Sequence, residues 1–288
     1  MQIENALILS AGLGTRMGEH GKKLPKVLWP VFSKSLLELQ IRYCKDLGVK
    51  SIYINTHFLH GEIKEHLRKQ KLLDNVTLLH EIELLDSGGA IHNLAEKADV
   101  NYKGELLLLN GDQFLFFDKM YWENALQLIK TSRAVLFGIK VESNAGYNET
   151  VLKDGRLVEI KKNEKNMQDY ITYSGLGVIN LNGLRPVPGK SKFFESVAEF
   201  QSERIEFVVP DTFDYWDFGT AENYVKNIFK LSEDLTLSGP MQKFLKSEIE
   251  IKNEIESFVD LKNKSIDLDN LGSFLPNSIH LRGQFQKI

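Results

Sequence analysis

Leu9-Ser10-Ala11-Gly12-Leu13-Gly14-Thr15-Arg16-Met17-Gly18 follows the short apolar run Ala6-Leu7-Ile8 and decides how the chain is read. An apolar run of this length, bounded by glycines, reads as a buried strand whose carboxyl end opens into a loop. Glycines there let backbone amides approach an anion, because no side chain blocks the way and positive φ is cheap. Arg16 adds a guanidinium fork suited to phosphate oxygens. Leu24-Pro25-Lys26-Val27-Leu28 then returns a second cation to the same mouth. A dinucleotide fingerprint needs G-x-G-x-x-G, and here the third glycine falls one residue late, with Arg16 in the tight turn. A P-loop needs Lys-Ser or Lys-Thr after its last glycine, and neither follows Gly18.

Outward from this loop, short apolar runs alternate with helical patterns. Leu36, Leu37, Gln40, Ile41, Cys44 and Leu47 mark a helix face that Gly48 ends. A strand over 51–55, a helix through Ile63 and Leu67, a strand at Val76–His80, a helix over about 90–97 and a strand over 105–109 follow. This β-α-β order predicts parallel strands with right-handed crossovers. The fold expected is therefore α/β, a Rossmann-like doubly wound, mixed but mainly parallel sheet with helices on both faces and ligands at the strands' carboxyl ends. A helix over 118–131 precedes strand-like stretches at 133–141, 149–152, 156–160 and 170–180. A helix over 192–201, a strand over 205–209 and a helix over 221–231 come next. Pro240 opens a further helical pattern reaching about residue 255. Beyond residue 260 the apolar pairs recur too irregularly to assign a repeat.

The composition narrows the possibilities. The 288 residues carry 36 Lys+Arg against 39 Asp+Glu, a formal net charge of -3, so no nucleic-acid-coating surface is expected. Cys44 is the single cysteine, which excludes an internal disulfide and fits a reducing compartment. No apolar run approaches the roughly 20 residues that span a bilayer, and the first residues have no basic start of a secretory signal. A cytoplasmic protein without membrane or nucleic-acid partners is the expectation. His57 and His60 have no second ligand pair at zinc spacing.

Taken together, these stretches resemble the sugar-1-phosphate nucleotidyltransferase family. Its signature, G-x-G-T-R-[LM] followed by P-K-x-L-x-P-[VI], stands here as Gly12-Leu13-Gly14-Thr15-Arg16-Met17 and Pro25-Lys26-Val27-Leu28-Trp29-Pro30-Val31. Leu84-Leu85-Asp86-Ser87-Gly88-Gly89-Ala90 is similar to its base-and-ribose loop, and Leu109-Asn110-Gly111-Asp112 to its N-G-D metal motif. Tyr173-Ser174-Gly175-Leu176-Gly177-Val178 resembles the sugar-contacting strand, and Trp216-Asp217-Phe218-Gly219-Thr220-Ala221-Glu222 the W-x-D-x-G-T-P-E segment, with alanine in place of proline. Within the family, Ile54-Asn55-Thr56-His57-Phe58-Leu59, the stretch Ile63-Lys64-Glu65-His66-Leu67 and the short chain look most like two branches. One is N-acetylmuramate 1-phosphate uridylyltransferase; the other is mannose- or heptose-1-phosphate guanylyltransferase.

The resemblance implies transfer of a nucleoside monophosphate from UTP or GTP to a sugar 1-phosphate, with release of pyrophosphate and a requirement for Mg²⁺. It also implies a product for cell-wall or surface-polysaccharide synthesis. Two polyanions must meet, so cations and metal-holding carboxylates are what the chemistry needs. Carried over residue by residue, Arg16 and Lys26 hold phosphates, and Asp112 and Asp217 hold the metal. Ala11, Gly12, Leu13, Gly14, Thr15, Gly88, Gly89 and Asn110 join Lys26 in binding the nucleotide. On the sugar side the family's Glu-Lys-Pro is missing, and the chain runs Ile160-Lys161-Lys162-Asn163-Glu164. Lys161 and Lys162 are taken as the substitutes, with Gly146 and Gly175 as further substrate contacts. The expected organisation is a catalytic domain over 1–231 and an extension over 232–288 that serves dimerisation. A non-catalytic sugar-nucleotide-binding homologue is the alternative, with a dinucleotide-dependent oxidoreductase behind it.

Overall fold

The computed structural model describes residues 2–17, 21–96, 100, 102–162, 168–233 and 239–247, with short strands at 259–260, 265–267 and 284–286. The chain opens with β1 (Asn5–Leu9), and a 3-10 turn at Thr15–Met17 closes the described part of the glycine loop. A second 3-10 turn at Lys26–Leu28 leads to the small hairpin of β2 (Pro30–Val31) and β3 (Lys34–Ser35). Then come α1 (Leu36–Asp46), β4 (Ser51–Thr56), α2 (His60–Lys69), β5 (Val76–His80), α3 (Asp86–Glu96) and β6 (Glu105–Asn110). The second half adds β7 (Gln113–Phe117), α4 (Lys119–Leu128), β8 (Ala134–Val141), β9 (Glu149–Lys153), β10 (Arg156–Lys161) and β11 (Tyr170–Asn180). It continues with α5 (Phe193–Ser196), β12 (Ile205–Val208), β13 (Phe213–Asp217), α6 (Ala221–Glu233) and α7 (Pro240–Lys246).

Nine strands form one mixed sheet in the order β5-β4-β1-β6-β11-β8-β12-β10-β9. β5, β4, β1 and β6 pair in parallel, as the β-α-β order predicts. Only β11 and β10 run against the other strands. Both faces of the sheet are covered, and the strand sequences show it by alternation. Ala6, Ile8, Leu107 and Leu109 face the cluster built with α1, α6 and α7. Leu7, Leu106 and Leu108 face the one built with α3 and α5. Strands buried on both faces read as unbroken apolar runs for this reason.

Three differences from the sequence reading have physical causes. First, α3 starts at Asp86, ahead of the expected 90, because Asp86 adopts a left-handed backbone (φ 56°) that launches the helix early. Gly88 and Gly89 therefore sit in its first turn and not in a loop. Second, Phe114, Phe116 and Phe117 belong to β7, a strand absent from the expected order, which pairs antiparallel with β13 in a separate two-stranded ribbon. Phe114 and Leu115 are buried, and Phe116 and Phe117 pack, partly buried, against the main core. Third, the helix expected over 192–201 shortens to a single turn at Phe193–Ser196.

The carboxyl-terminal stretch joins the main core before residue 250. α6 runs past Leu231 to Glu233, and in α7 Met241 and Leu245 are fully buried. The Phe244 ring lies against Tyr43, Phe114 and Phe116, with centroids 6.2, 6.1 and 5.6 Å away. Beyond α7, β14 (Val259–Asp260), β15 (Ser265–Asp267) and β16 (Gln284–Gln286) make an antiparallel three-stranded sheet. Among the described residues no helix is long and apolar enough to cross a membrane. Because Phe244 fills a space shared by α1 and the β7–β13 ribbon, Phe244→Ala should lower the unfolding free energy by about 3 kcal/mol. A urea titration checks this, and an unchanged midpoint would detach α7 from the core.

Candidate active site

The site stands at the carboxyl ends of β1, β4 and β6, where the parallel half of the sheet leaves its loops. A cleft of about 260 Å³ is lined there by Leu9, Ser10, Ala11, Gly12, Arg16, Lys26, Val27, Asn55, Leu84, Asp86, Ser87, Asn110, Asp112 and Gln113. A larger groove, about 790 Å³, is bounded by Tyr43, Phe116, Trp122 and Phe213 and contains none of the expected site residues.

Arg16, Lys26, Asp112 and Asp217 come together although they lie far apart in sequence. Lys26 is presented by the 3-10 turn that Leu28 N–H closes on the Pro25 carbonyl (2.8 Å), with Val27 and Leu28 buried beneath it. Its ammonium pairs with Asp112 Oδ2. Asp112 follows β6, and the ribbon brings Asp217 alongside, since β13 pairs Asp217 with Gln113. The Phe218 N–H then donates to the Asp112 carbonyl at 2.9 Å. Gly219 marks the centre of this group. A Cβ added there would lie 2.8 Å from both Asp112 Oδ2 and Asp217 Oδ1 and 3.7 Å from an Arg16 guanidinium nitrogen. The two carboxylate oxygens are thus no more than twice 2.8 Å apart, around a space kept open by a missing side chain.

Asp217 is itself held in place. Its Oδ1 accepts the Gly219 N–H (2.7 Å), and its Oδ2 accepts the Tyr147 hydroxyl (2.6 Å). Burial, reinforced by Asp217, pushes the Tyr147 hydroxyl well above the ordinary phenol range, so it stays a proton donor. The neighbouring Tyr215 hydroxyl is raised for the same first reason.

The loops at the glycine-rich end of the cleft are tied down by buried hydrogen bonds. Asn55 Oδ1 accepts the Ser10 N–H (2.7 Å), and its Nδ2 donates to Glu81 Oε1 (2.8 Å). Glu81 Oε2 accepts the Leu85 N–H (3.0 Å). One buried carboxylate therefore links the glycine loop to the loop that carries Asp86. Desolvation holds the Glu81 carboxyl above its usual range, although these donors draw it back. Asp86 lines the cleft, with the Lys190 ammonium 3.4 Å from its carboxylate.

The other expected residues divide. Ala11, Gly12 and Asn110 line the cleft with Lys26. Leu13, Gly14 and Thr15 form the turn beyond it, where Met17 N–H bonds the Gly14 carbonyl (2.9 Å), and Gly18 lies outside the described residues. Gly88 and Gly89 do not line it. Their amides donate to the Ser191 carbonyl at 2.9 and 3.1 Å, and a Cβ on Gly88 would reach within 2.6 Å of the Lys192 carbonyl. Their smallness serves helix packing, while Leu84, Asp86 and Ser87 face the cleft. Gly175, at φ 85°, sits where a Cβ would collide with Gln113 and Asn110, so it lets β11 close against the cleft floor. Gly146 is exposed in the β8–β9 loop with open space around it.

Lys161 stands at the end of β10, opposite Glu149 of β9. There Lys161 faces Glu159 at 3.4 Å with both side chains half exposed, and Lys162 is exposed. Sequence reading missed Asn55, Glu81, Tyr147 and Gly219. Gly219 stands inside a quoted motif, but only the fold reveals that its bare Cα faces both carboxylates.

Residues 5–160 match the family model described as nucleotidyl transferase. The chain belongs to the nucleotidyl transferase family. A 113-residue stretch is 34% identical to the D-glycero-alpha-D-manno-heptose 1-phosphate guanylyltransferase of Campylobacter jejuni, covering 39% of this chain and 49% of that protein. The chain thus spans about half the length of this curated relative. A putative mannose-1-phosphate guanyltransferase of Sulfolobus acidocaldarius is 22% identical over 96% of this chain and 75% of its own length. The structure of HddC from Yersinia pseudotuberculosis complexed with GMP-PN shares the fold, with a TM-score of 0.65 and 22% identity over 79% of this chain and 99% of that one. So does a putative glucose-1-phosphate thymidylyltransferase from Bacillus anthracis (TM-score 0.66, 16% identity, 82% and 98% covered).

The Asn55–Glu81 link yields a test of the scaffold. Asn55→Ala strands the Ser10 N–H and Glu81 Oε1, and should cost about 2 kcal/mol of stability. The lost amide also supported the ionised carboxylate, so the folded-state pKa of Glu81, already above its unfolded value, rises further. That added penalty is absent below the unfolded pKa and grows as pH rises above it. The stability deficit should therefore be larger at about pH 8 than at about pH 4. Equal deficits in urea titrations at both would show that Glu81 carries no charge in the folded protein.

Proposed function

We propose that the protein transfers a guanylyl group from GTP to a sugar 1-phosphate, giving a nucleotide sugar and pyrophosphate. The observation that carries this reading is the convergence of Arg16, Lys26, Asp112 and Asp217 around the bare Cα of Gly219. An oxygen of the sugar phosphate attacks the α-phosphorus, the new P–O bond forms, and the bond to the bridging β-oxygen breaks in line. The attacking oxygen is already ionised near neutral pH, so no general base is needed. Charge placement is what remains for the protein to supply.

Arg16 and the amides of residues 11–15 take the β- and γ-phosphates that leave. Lys26, paired with Asp112 when no phosphate is present, turns to the α-phosphate and the incoming phosphate. Asp112 Oδ2 and Asp217 Oδ1 would hold Mg²⁺ in the space beside Gly219. Two hard carboxylate oxygens fit an ion that takes one or two carboxylates and fills its remaining positions with phosphates and water. When bound, Mg²⁺ neutralises phosphate charge as the transition state forms.

Guanine is favoured over uracil by Asp86. A carboxylate facing the base end of the cleft matches the adjacent N1–H and N2–H donors of guanine, whereas the imide N–H of uracil is flanked by two carbonyls that it would repel. The names of the two curated relatives support the same base. The reading further places the protein in the cytoplasm with its nucleotide supply, in the synthesis of surface or wall polysaccharide, and as a homodimer joined by residues after 247.

A pyrophosphate-release screen of the five common nucleoside triphosphates against a panel of sugar 1-phosphates, with Mg²⁺, tests it. GTP with mannose or heptose 1-phosphate should give the highest rate. UTP as the preferred nucleotide would overturn the role of Asp86, and release with no pair would favour the non-catalytic homologue. Asp112→Asn, Lys26→Ala and Gly219→Ala should each lower kcat by about 10²-fold or more with circular dichroism unchanged. Full turnover in any of them removes that position from the site.

A further inference from the structure

Tyr147 lies outside every motif quoted from the sequence, yet it is fixed at both its backbone and its ring. Its N–H donates to the Tyr170 hydroxyl at 3.1 Å, and that hydroxyl donates back to the Tyr147 carbonyl at 2.9 Å. Tyr170, buried at the start of β11, thereby pins the loop between β8 and β9 at this residue. The Tyr147 hydroxyl donates to Asp217 Oδ2 at 2.6 Å, with the Tyr215 hydroxyl of β13 beside it. The other oxygen of Asp217 takes the Gly219 N–H and faces Asp112 Oδ2 across the bare glycine. Each Asp217 oxygen thus holds one protein donor, and Oδ1 keeps a lone pair directed at the shared space.

We propose that Tyr147 is a positioning residue whose hydroxyl holds the Asp217 carboxylate in the orientation that lets it share a divalent cation with Asp112. This rests on the nucleotidyltransferase reading. A carboxylate on a single χ1–χ2 pair turns freely unless something grips its outer oxygen. A charge-assisted hydrogen bond from a neutral donor does so without adding charge beside the cation. Outer partners of this kind typically govern metal affinity by 10- to 100-fold.

Tyr147→Phe keeps the ring and removes the hydroxyl. The probe is Mn²⁺, followed by electron paramagnetic resonance on the full chain with a GTP analogue that cannot be cleaved at its α–β bridge. The Mn²⁺ dissociation constant should rise about 10-fold. The Mg²⁺ concentration giving half-maximal pyrophosphate release should rise in parallel, and excess metal should restore kcat. Tyr215→Phe, which removes the hydroxyl beside Tyr147, should shift both in the same direction by less, and it carries the test if the first variant does not fold. Wild-type Mn²⁺ affinity in Tyr147→Phe, or a loss of turnover that excess metal leaves unrepaired, would overturn the positioning role alone. Wild-type protein that neither binds Mn²⁺ nor releases pyrophosphate would overturn the functional reading and this inference with it.

Discussion

Two carboxylates held this close repel, and the rest of the site is arranged around that fact. At an effective dielectric of about 20, unit charges some 5 Å apart cost roughly 3 kcal/mol. The protein offsets this with the Lys26 ammonium against Asp112, the Arg16 guanidinium nearby, and neutral donors from Gly219 and Tyr147 on Asp217. Both cations are also what a polyphosphate would bind. In the proposed function this charge balance is a set of interactions that an incoming anion and a divalent cation would exchange, with little new charge to bury.

The β7–β13 ribbon makes the repulsion unavoidable. Its ladder sets Asp217 opposite Gln113, the neighbour of Asp112, and the Phe218 N–H bond to the Asp112 carbonyl locks that register. The ribbon is in turn clamped by a dense aromatic layer in which Tyr43, Phe114, Phe116 and Phe244 meet edge to face or tilted. The backbone at neither aspartate can retreat without breaking main-chain bonds or opening that layer. Rigid delivery of this kind is what catalysis by charge placement needs, since little reorganisation remains when charge develops.

The glycine-loop half of the cleft follows a complementary design. Gly12, Leu13, Thr15 and Arg16 stay exposed, while the bonds that shape their loop are buried in Asn55 and Glu81 behind it. Burying a carboxylate is expensive, and Glu81 is acceptable there because a side-chain amide and a main-chain amide satisfy it. Asp86, held at positive φ, spends a little backbone strain to turn a carboxylate into the cleft and start α3 early.

Much of this was legible in the order of residues. Arg16, Lys26 and Asp112 are each set by a few neighbours: glycines after an apolar run, a proline before a lysine, a strand that stops at Asn-Gly. Short-range sterics and strand periodicity act within such stretches, so the alternation Leu106–Leu109 and the crossovers around it could be read directly. The early start of α3 could not, because it hangs on one left-handed aspartate that local propensity disfavours. A run such as Lys161-Lys162 likewise says nothing about its place in a nine-stranded sheet. What the chain order alone determined is the parallel half-sheet, its glycine-rich loop and the identity of the four charged groups. Only the tertiary structure decided that Asp217 meets Asp112, that Gly219 leaves room between them, and that Tyr147 reaches Asp217 from 70 residues away. Those contacts come from packing and strand register between distant elements, and no pattern within a single element encodes them.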